Sequence, residues 1–317
     1  MAPTSFKLNT GVDMPAVGLG TWQSAPGEVA NAVAIALKAG YRLIDTAYCY
    51  GNEDEVGKGI KEAIDAGVVK REDIFVVTKL WNTYATRAEV GLDKSLQNLG
   101  LDYVDLFLVH WPVGMNPEGN DDRFPKLPNG ERDITWEHDH VATWKQMEGL
   151  VKTGKTKAIG VSNYSKVYLE KLLAQAEIVP AVNQIENHPS LPQDEVVAIC
   201  KENGIHIMAY SPLGSTGSPL FQNESVKKVA EKKGASPGTV LLSYHVARGS
   251  TVLAKSVTES RIKANLEIVD LDDEDLKTLG EVSAGGKFER FVYPPFGINF
   301  GFPDKTTGKT MPNGLEA

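Results

Sequence analysis

Cysteine and long apolar runs are the scarcest features of this 317-residue sequence. Cys49 and Cys200 are the only cysteines, too few for a disulfide framework and typical of a reducing compartment. No run of about 18 apolar residues occurs, so the sequence predicts no membrane-spanning helix. Residues Met1–Lys7 lack the apolar core of a signal peptide. We therefore expect a cytoplasmic protein that makes no membrane contact.

Basic residues are outnumbered by acidic ones. The chain has 33 Lys and Arg against 41 Asp and Glu, a net charge of −8. Nucleic-acid-binding proteins usually carry a basic face, so we expect no nucleic acid partner. The contents of 42% hydrophobic and 23% charged residues are those of an ordinary globular protein.

Several familiar site motifs are absent or incomplete. The sequence has no G-x-x-x-x-G-K, G-x-S-x-G or H-E-x-x-H. The stretch Gly18–Gln23 has two of the three glycines of a dinucleotide fingerprint, with Gln23 where the third belongs. An open α/β sheet is therefore the structural alternative, not the first choice. His138-Asp139-His140 has no accompanying ligand cluster, so we interpret the histidines as a solvated pair at a helix start and expect no metal.

Eight short apolar runs alternate with amphipathic stretches, a pattern that predicts a (β/α)8 TIM barrel. The predicted strands are Ala16–Thr21, Leu43–Ala47, Ile74–Leu80, Val104–His110, Ala158–Ser162, Ala181–Ile185, Ile205–Tyr210 and Thr251–Lys255. The predicted helices are Gly27–Lys38, Glu53–Ala66, Arg87–Leu99, Asp139–Lys152, Tyr168–Ala176, Asp194–Glu202, Glu224–Lys233 and Pro237–Arg248, the last two giving one helix more than the repeat needs.

The remaining segments fit one barrel domain over residues 1–317. Phe6–Leu8 and Gly11–Met14 predict an N-terminal β-hairpin that caps the barrel bottom. Pro112–Trp136 has no clear period and predicts a long loop. Gly285–Ala317 is rich in Gly and Pro and predicts a long C-terminal loop or flexible end.

Four ionisable residues fall at or after three successive strand ends, which meet at one mouth of such a barrel. Asp45 closes the second predicted strand, and Tyr50 follows it in the loop. Lys79 and His110 close the next two strands. Each has an ordinary structural explanation by itself, such as a cap, a loop anchor or a core histidine. Together they indicate a site, because buried charges are costly unless paired.

The chemistry that this set suits is proton transfer at a carbonyl group. Tyr has an ordinary pKa of about 10, and a nearby Lys79 ammonium would lower the pKa of Tyr50 while Asp45 holds the lysine in place. His110 can orient a carbonyl oxygen by a hydrogen bond. Tyr50 would then protonate that oxygen as hydride reaches the carbon.

Motifs along most of the chain resemble those of the aldo-keto reductase family. They run in order from about residue 6 to 300 and include Gly40–Ala47, Tyr50–Glu53, Val56-Gly57, Thr78–Trp81, Val109–Pro112, Gly160–Asn163, Asn183-Gln184, Ala209–Leu213, Lys255–Thr258 and Arg261. The resemblance implies a barrel that binds NAD(P)H without a Rossmann fold. It also implies Tyr50 as general acid/base, with Asp45, Lys79 and His110 as the other three members of a catalytic tetrad.

The same resemblance assigns the cofactor residues. Tyr210 matches the ring that stacks on nicotinamide, and the carboxamide contacts match Ser162, Asn163 and Gln184. The pyrophosphate loop matches Ser211, Leu213 and Ser215, and the phosphate site matches Lys255, Ser256, Thr258 and Arg261. The cofactor set is completed by Thr21, Trp22, Asp45, Val257 and Asn265. Lys255 and Arg261 suit a 2′-phosphate, which favours NADPH over NADH, although Ala264 replaces a usual adenine contact and Ala254 a usual proline.

The expected substrate pocket is aromatic. Trp22, Trp81 and Trp111 each follow a strand end and predict its walls, beside Tyr50 and His110. We expect Tyr48, Asn52 and the tail around Phe288–Phe302 to add to its rim. The long loop and tail, where the family sets specificity, look most like those of fungal glycerol dehydrogenases and glyceraldehyde or erythrose reductases. The resemblance implies NADPH-dependent reduction of a small aldehyde, reversible to polyol oxidation. A xylose-type aldose reductase and a non-catalytic NADPH-binding subunit are the alternatives, and we expect a monomer, with a dimer as the second possibility.

Overall fold

Eight parallel strands close into a barrel in the computed structural model of the chain, which describes residues 2–215 and 217–312. The strands follow one another around the barrel in chain order, and the last pairs with the first. They are β3 (Val17–Gly20), β4 (Leu43–Asp45), β5 (Phe75–Leu80), β6 (Val104–Val109), β7 (Thr156–Ser162), β8 (Val182–Glu186), β9 (His206–Tyr210) and β10 (Thr251–Lys255). The predicted (β/α)8 barrel is confirmed, and the alternative prediction of an open α/β sheet is wrong.

The strands form where the sequence is apolar on both faces. Every residue of β5 and β6 is buried, because one face of each strand points into the barrel and the other packs under the helices. A cluster around Leu43, Leu106 and Met208 fills the interior. The boundaries of the predicted strands differ from the observed ones by at most two residues, as expected where strand ends fray into loops.

Ten α-helices occur among the described residues. They are α1 (Val29–Ala39), α2 (Glu53–Asp65), α3 (Ala88–Leu99), α4 (His140–Leu150), α5 (Lys166–Leu173), α6 (Asp194–Glu202), α7 (Glu224–Lys233), α8 (Pro237–Ala247), α9 (Glu259–Ala264) and α10 (Asp273–Gly280). Gly40 and Gly100 end α1 and α3 in the left-handed conformation, as glycine permits without steric cost. Helices α9 and α10 were not predicted, because six and eight residues are too few to show a clear apolar period.

The N-terminal hairpin closes the bottom of the barrel. Strands β1 (Ser5–Lys7) and β2 (Asp13–Pro15) pair antiparallel. Leu8 and Met14 join the interior cluster of the barrel. Asn9 Nδ2 also donates a hydrogen bond of 3.0 Å to the carbonyl oxygen of Pro180. The predicted cap is confirmed, and it shields the lower end of the core from water.

Gly18 lies in β3 inside the barrel, not in a phosphate loop. A Cβ at this position would lie 2.1 Å from Leu43 Cδ2 and 2.8 Å from Leu253 Cδ2. No side chain fits in that space, so glycine is required by packing between neighbouring strands. The partial dinucleotide fingerprint around Gly18 therefore has a purely structural explanation.

The motif His138-Asp139-His140 starts α4. Asp139 caps the helix by accepting a hydrogen bond of 3.0 Å from the Val141 amide. The interpretation of both histidines as solvated is wrong for His140, which is 3% exposed and packs against Tyr164 and Tyr168. The first turn of the helix rotates its ring into the core. The described part of the chain contains no group of three or more His, Cys, Asp or Glu side chains placed to hold a metal ion.

Two irregular segments cover the upper side of the barrel. The loop after β6 is folded back by isolated bridges that pair Met115 with Ile134 and Lys126 with Arg132. The tail carries two short parallel strands, β11 (Ile298–Asn299) and β12 (Lys309–Thr310). The predicted tail extends to residue 317, and residues 313–317 lie outside the described residues.

Within the described ranges, no helix is both long and apolar enough to cross a membrane.

Candidate functional site

The four ionisable residues predicted from strand ends come together at the upper mouth of the barrel. Asp45 is the last residue of β4, Lys79 lies in β5, and His110 directly follows β6. The strand register pairs Asp45 with Val77 and Lys79 with Leu108, so each next side chain lies two residues further along its tilted strand toward the same mouth. Tyr50 ends a short 3-10 turn after β4 and reaches back over them.

Lys79 is the centre of the polar contacts at the mouth. Its side chain is fully buried, and its Nζ lies 2.8 and 2.9 Å from the two carboxylate oxygens of Asp45. The same Nζ donates to the carbonyl oxygen of Thr46 at 2.9 Å and to the hydroxyl of Tyr50 at 3.2 Å. The ammonium is thus held by acceptors on one side while it contacts the phenol on the other.

Asp45 is equally enclosed. Gln184 Nε2 donates a hydrogen bond of 2.7 Å to Asp45 Oδ2. Burial raises the pKa of Asp45, and the Lys79 ammonium and the hydrogen bonds from Lys79 and Gln184 oppose that rise. A carboxylate that accepts from a lysine with both oxygens remains ionised, because the paired form satisfies both charges.

The pKa of Tyr50 is shifted in the direction opposite to the one predicted from the sequence. Burial raises it well above the ordinary value, and the negative charge of Asp45 adds to the rise. The predicted lowering of this pKa by Lys79 is therefore wrong, because desolvation of a phenolate outweighs the attraction of an ammonium already paired with Asp45. As a result, Tyr50 is a fully protonated hydrogen-bond donor at neutral pH.

His110 is a neutral imidazole beside the phenol. It is 7% exposed, and its ring meets the Tyr50 ring edge-on with 5.7 Å between centroids. Burial, assisted by the charge of Lys79, moves the pKa of His110 well below its usual range. Its Nδ1 lies 3.5 Å from Cys49 Sγ, a neighbour that strand-end reasoning missed because Cys49 lies inside the turn that carries Tyr50.

A cavity of about 730 Å³ opens above these residues. Most of the predicted site residues line it: Thr21, Trp22, Asp45, Tyr50, Trp81, His110, Trp111, Ser162, Asn163, Gln184, Tyr210, Ser211, Leu213, Ser215, Lys255, Ser256, Val257 and Arg261. Lys79 is covered from the cavity by its own partners. Thr258 and Asn265 were predicted to contact a cofactor and do not line the cavity in this structure, since Thr258 instead accepts from Arg261 and Asn265 ends α9.

A cluster of hydroxyl and amide groups forms the wall after β7, β8 and β9. Tyr210 donates from its hydroxyl to Asn163 Oδ1 at 2.7 Å, and Ser162 Oγ donates to the carbonyl oxygen of Gln184 at 2.8 Å. Asn163 Nδ2 donates to the carbonyl oxygen of His110 at 2.9 Å. These bonds fix the side chains in a rigid polar surface that suits a carboxamide-bearing ring lying against it.

The backbone around the cavity is strained. Six non-glycine residues of the described chain have positive φ, and five of these six line the cavity: Gln23, Asn163, Ser211, Ser215 and Ser218. Such conformations cost on the order of 1–3 kcal/mol each and cluster at ligand sites. With Lys255 and Arg261 on the same rim, this surface is cationic and could hold an anionic group.

Aromatic side chains form the opposite wall. Trp81 and Trp111 are 3% and 6% exposed, whereas Trp22 is 39% exposed at the entrance. Phe296 of the tail contacts both buried tryptophans, with ring centroids 6.2 Å apart in each case. Phe124 and Arg132 of the long loop also line this wall, and neither was predicted.

The tail is fixed over the cavity by Glu186 at the end of β8. Its carboxylate accepts from the backbone amides of Phe291 at 2.7 Å and Val292 at 2.9 Å. An ion pair of 2.7 Å between Arg290 and Asp304 holds the next turn. The tail segment therefore belongs to the cavity wall and is not a free end.

Comparisons with known proteins agree with this geometry. A family model described as "Aldo/keto reductase family" matches residues 16–284. The chain is 71% identical to D-galacturonate reductase of Hypocrea jecorina, over 96% of this chain and 100% of that protein. It is 49% identical to glycerol 2-dehydrogenase (NADP(+)) of Saccharomyces cerevisiae, over 91% and 94%. The structure of the aldose reductase from Schistosoma japonicum superposes with a TM-score of 0.84 at 39% identity, covering 90% of this chain and 93% of that one.

Proposed function

The chain belongs to the aldo/keto reductase family and is an oxidoreductase, and from that premise we propose that it reduces small sugar-derived aldehydes with NADPH. The observation that carries the proposal is the buried contact chain from Asp45 through Lys79 to Tyr50, beside a neutral His110. Such a set delivers one proton to a carbonyl oxygen and stabilises the phenolate that remains.

We propose the following roles for the residues. Bound NADPH supplies a hydride to the carbonyl carbon of the substrate. Tyr50 is the proton donor, since its raised pKa keeps the hydroxyl protonated until an oxyanion develops in front of it. Lys79, 3.2 Å from that hydroxyl, stabilises the phenolate, and Asp45 keeps the ammonium in place. His110 donates a hydrogen bond that orients the carbonyl oxygen.

NADPH is the proposed cofactor because of the cations on the cavity rim. Lys255 is exposed there, with its Nζ 3.2 Å from the carbonyl oxygen of Gln23, and Arg261 donates to Thr258 Oγ1 at 2.7 Å. Both would hold a 2′-phosphate, whose second charge NADH lacks. The wall of Ser162, Asn163, Gln184 and Tyr210 would hold the nicotinamide end.

D-Galacturonate is the first candidate substrate because the relative called D-galacturonate reductase is 71% identical to this chain. D-Glyceraldehyde is the second, in line with the relative called D/L-glyceraldehyde reductase, and the corresponding reverse reaction is oxidation of glycerol at C1. We further propose that the chain acts as a single-domain monomer and that it is cytoplasmic. The two free cysteines support the cytoplasmic location, because thiols stay reduced in that compartment.

The test is a substrate panel with both cofactors. We expect turnover of D-galacturonate and D-glyceraldehyde, and at least a tenfold higher kcat/KM with NADPH than with NADH. Tyr50→Phe should lower kcat by about 10²- to 10⁴-fold while NADPH binding, measured by quenching of tryptophan fluorescence, stays within about twofold. Tyr103→Phe is the matched control, because Tyr103 precedes β6 at the other end of the barrel.

Four results would contradict parts of the proposal. No turnover of any aldehyde by the unaltered enzyme would favour a binding role. Most activity surviving in Tyr50→Phe would remove the proposed role of Tyr50. Equal efficiency with NADH would remove the role of the two rim cations, and a preference for D-xylose would favour the aldose reductase alternative.

A further inference from the structure

Arg132 places a guanidinium in the aromatic wall of the cavity. It lies in the long loop between β6 and α4 and lines the same cavity as Tyr50 and His110. In barrel order, β6 is four strands from β10 in either direction. Arg132 therefore belongs to the side of the mouth across from Lys255 and Arg261, which we assign to the cofactor.

Few protein groups satisfy this guanidinium. Its Nη1 donates to the carbonyl oxygen of Pro125 at 3.5 Å, the limit of a hydrogen bond. Its Nε is buried without a partner. Asp121 is the acidic residue whose charge acts on Arg132, and the ion pairs found within residues 2–215 and 217–312 do not include Arg132. With Nε enclosed by protein and one long bond from Nη1, the terminal N–H groups of this guanidinium remain as donors for a ligand that enters the cavity.

Aromatic rings hold Arg132 in position. The guanidinium carbon lies 5.1 Å from the ring centroid of Phe124 and 5.9 Å from that of Phe296. Both rings contact Trp81, with centroids 5.3 and 6.2 Å apart. Trp81 in turn meets His110 edge-on at 5.1 Å. Arg132 is thus connected to the reacting end of the cavity by ring contacts, and the stacking limits its motion.

We propose that Arg132 binds the carboxylate of the substrate, so that the cavity selects aldehydes whose far end carries an acid group. Arginine presents two parallel N–H donors that match a carboxylate, and a planar guanidinium already stacked on rings loses little freedom on binding. The aldehyde end would lie at Tyr50 and His110, and the acid end at Arg132. The inference rests on the proposed function and adds the recognition of a hexuronate over a neutral aldose.

Two sugars separate this role from a purely structural one. D-Galacturonate and D-galactose differ only in a carboxylate against a hydroxymethyl group at C6. In Arg132→Gln, we expect kcat/KM for D-galacturonate to fall about 10- to 100-fold, mainly through KM. The values for D-galactose and D-glyceraldehyde should stay within about twofold. Arg132→Lys should give an intermediate loss, because the charge remains without the paired donors.

A control variant and a binding measurement complete the design. Lys126→Gln removes an exposed cation of the same loop that does not line the cavity, and it should leave both sugars unaffected. Calorimetry of D-galacturonate binding to the NADP+-bound protein should show the same weakening in Arg132→Gln as the kinetics. This readout does not depend on turnover.

The outcomes separate the two proposals. Turnover of neutral aldehydes with no preference for D-galacturonate over D-galactose would overturn the role of Arg132 and leave the reductase function intact. An equal loss for both sugars in Arg132→Gln would show that Arg132 only packs the loop. Absence of all turnover would refute the reductase function, and unchanged calorimetric binding in Arg132→Gln would then also refute carboxylate recognition.

Discussion

The buried pair of Lys79 and Asp45 predicts a large and pH-dependent loss of stability in Lys79→Met. Both side chains are enclosed, with 0% and 4% exposure, and Lys79 donates to both carboxylate oxygens at 2.8 and 2.9 Å. Methionine fills a similar volume but leaves Asp45 as an unpaired buried charge. Breaking such a pair from one side costs about 3–5 kcal/mol, a large share of a typical unfolding free energy of about 5–15 kcal/mol.

The pH dependence has a definite sign. Lys79 is the largest influence opposing the rise in the pKa of Asp45, so its removal raises that pKa further. A carboxyl with a higher pKa in the folded state binds a proton that the unfolded chain has already released. The stability of Lys79→Met therefore falls as pH rises from about 4 through the raised pKa. Its deficit relative to the unaltered enzyme should be larger at pH 8 than at pH 5.

Urea unfolding followed by tryptophan fluorescence at both pH values measures this deficit. The control is the double variant Lys79→Met/Asp45→Asn, which removes both charges and should recover more than half of the loss at pH 8. If Lys79→Met is as stable as the unaltered enzyme, or if the double variant loses as much as the single one, then the pair is not energetically coupled and the reasoning fails.

Two further predictions concern a half-buried histidine, His206, and a close helix contact. Burial lowers the pKa of His206 to about 4, so stability is lost as pH falls below about 6.5, by about 2 kcal/mol at pH 5 for this group. His206→Asn should have a correspondingly smaller difference in unfolding free energy between pH 8 and pH 5, and an unchanged difference would contradict this. A Cβ at Gly57 in α2 would lie 2.1 Å from the Leu99 carbonyl oxygen. Gly57→Ala should therefore destabilise by about 1–3 kcal/mol in the same assay, whereas Gly149→Ala, with nothing within 4 Å, should not; equal effects would refute the close-contact explanation.

The barrel and the position of its mouth could be predicted because they follow from local patterns. A strand buried on both faces is an apolar run in any sequence, and β10 was predicted with the bounds Thr251–Lys255 that the structure has. Parallel strands also end at a common edge. Asp45, Lys79 and His110 could therefore be grouped without coordinates, and their catalytic roles stay predictions.

The contacts that build the outer part of the cavity could not be predicted, because they join residues remote in sequence. Arg132 reaches the wall through stacking on Phe296, more than 160 residues away in the chain. The tail carrying Phe296 is held by backbone amides that donate to Glu186. Neither the loop nor the tail has a period that would show which side chains face inward. Composition and the family resemblance were sufficient to place the tail around Phe288–Phe302 at the rim, where residues 291–296 line the cavity, but not to identify Arg132.

The direction of the pKa shift of Tyr50 could not be predicted from the sequence, for a related reason. The sequence indicates that Lys79 is near, but it does not show that the Lys79 ammonium is already paired with both carboxylate oxygens of Asp45. It also does not show that the Tyr50 phenol is desolvated. Burial then decides the sign. The outcome still suits an acid catalyst, because a donor that holds its proton at neutral pH releases it only to a strongly basic oxygen, such as one that has just gained a hydride at its carbon.

The net charge of −8 describes the surface and not the cavity. Of the Asp, Glu, Lys and Arg side chains that line the cavity, Asp45 is the single acidic one, and it is neutralised by Lys79. The others are Arg132, Lys255 and Arg261, all cations. A low-dielectric cleft focuses such charges, so the cavity attracts anions even though the whole chain repels them. In our proposals one pair of cations, Lys255 and Arg261, binds the anionic cofactor, and the third, Arg132 across the mouth, binds an anionic substrate.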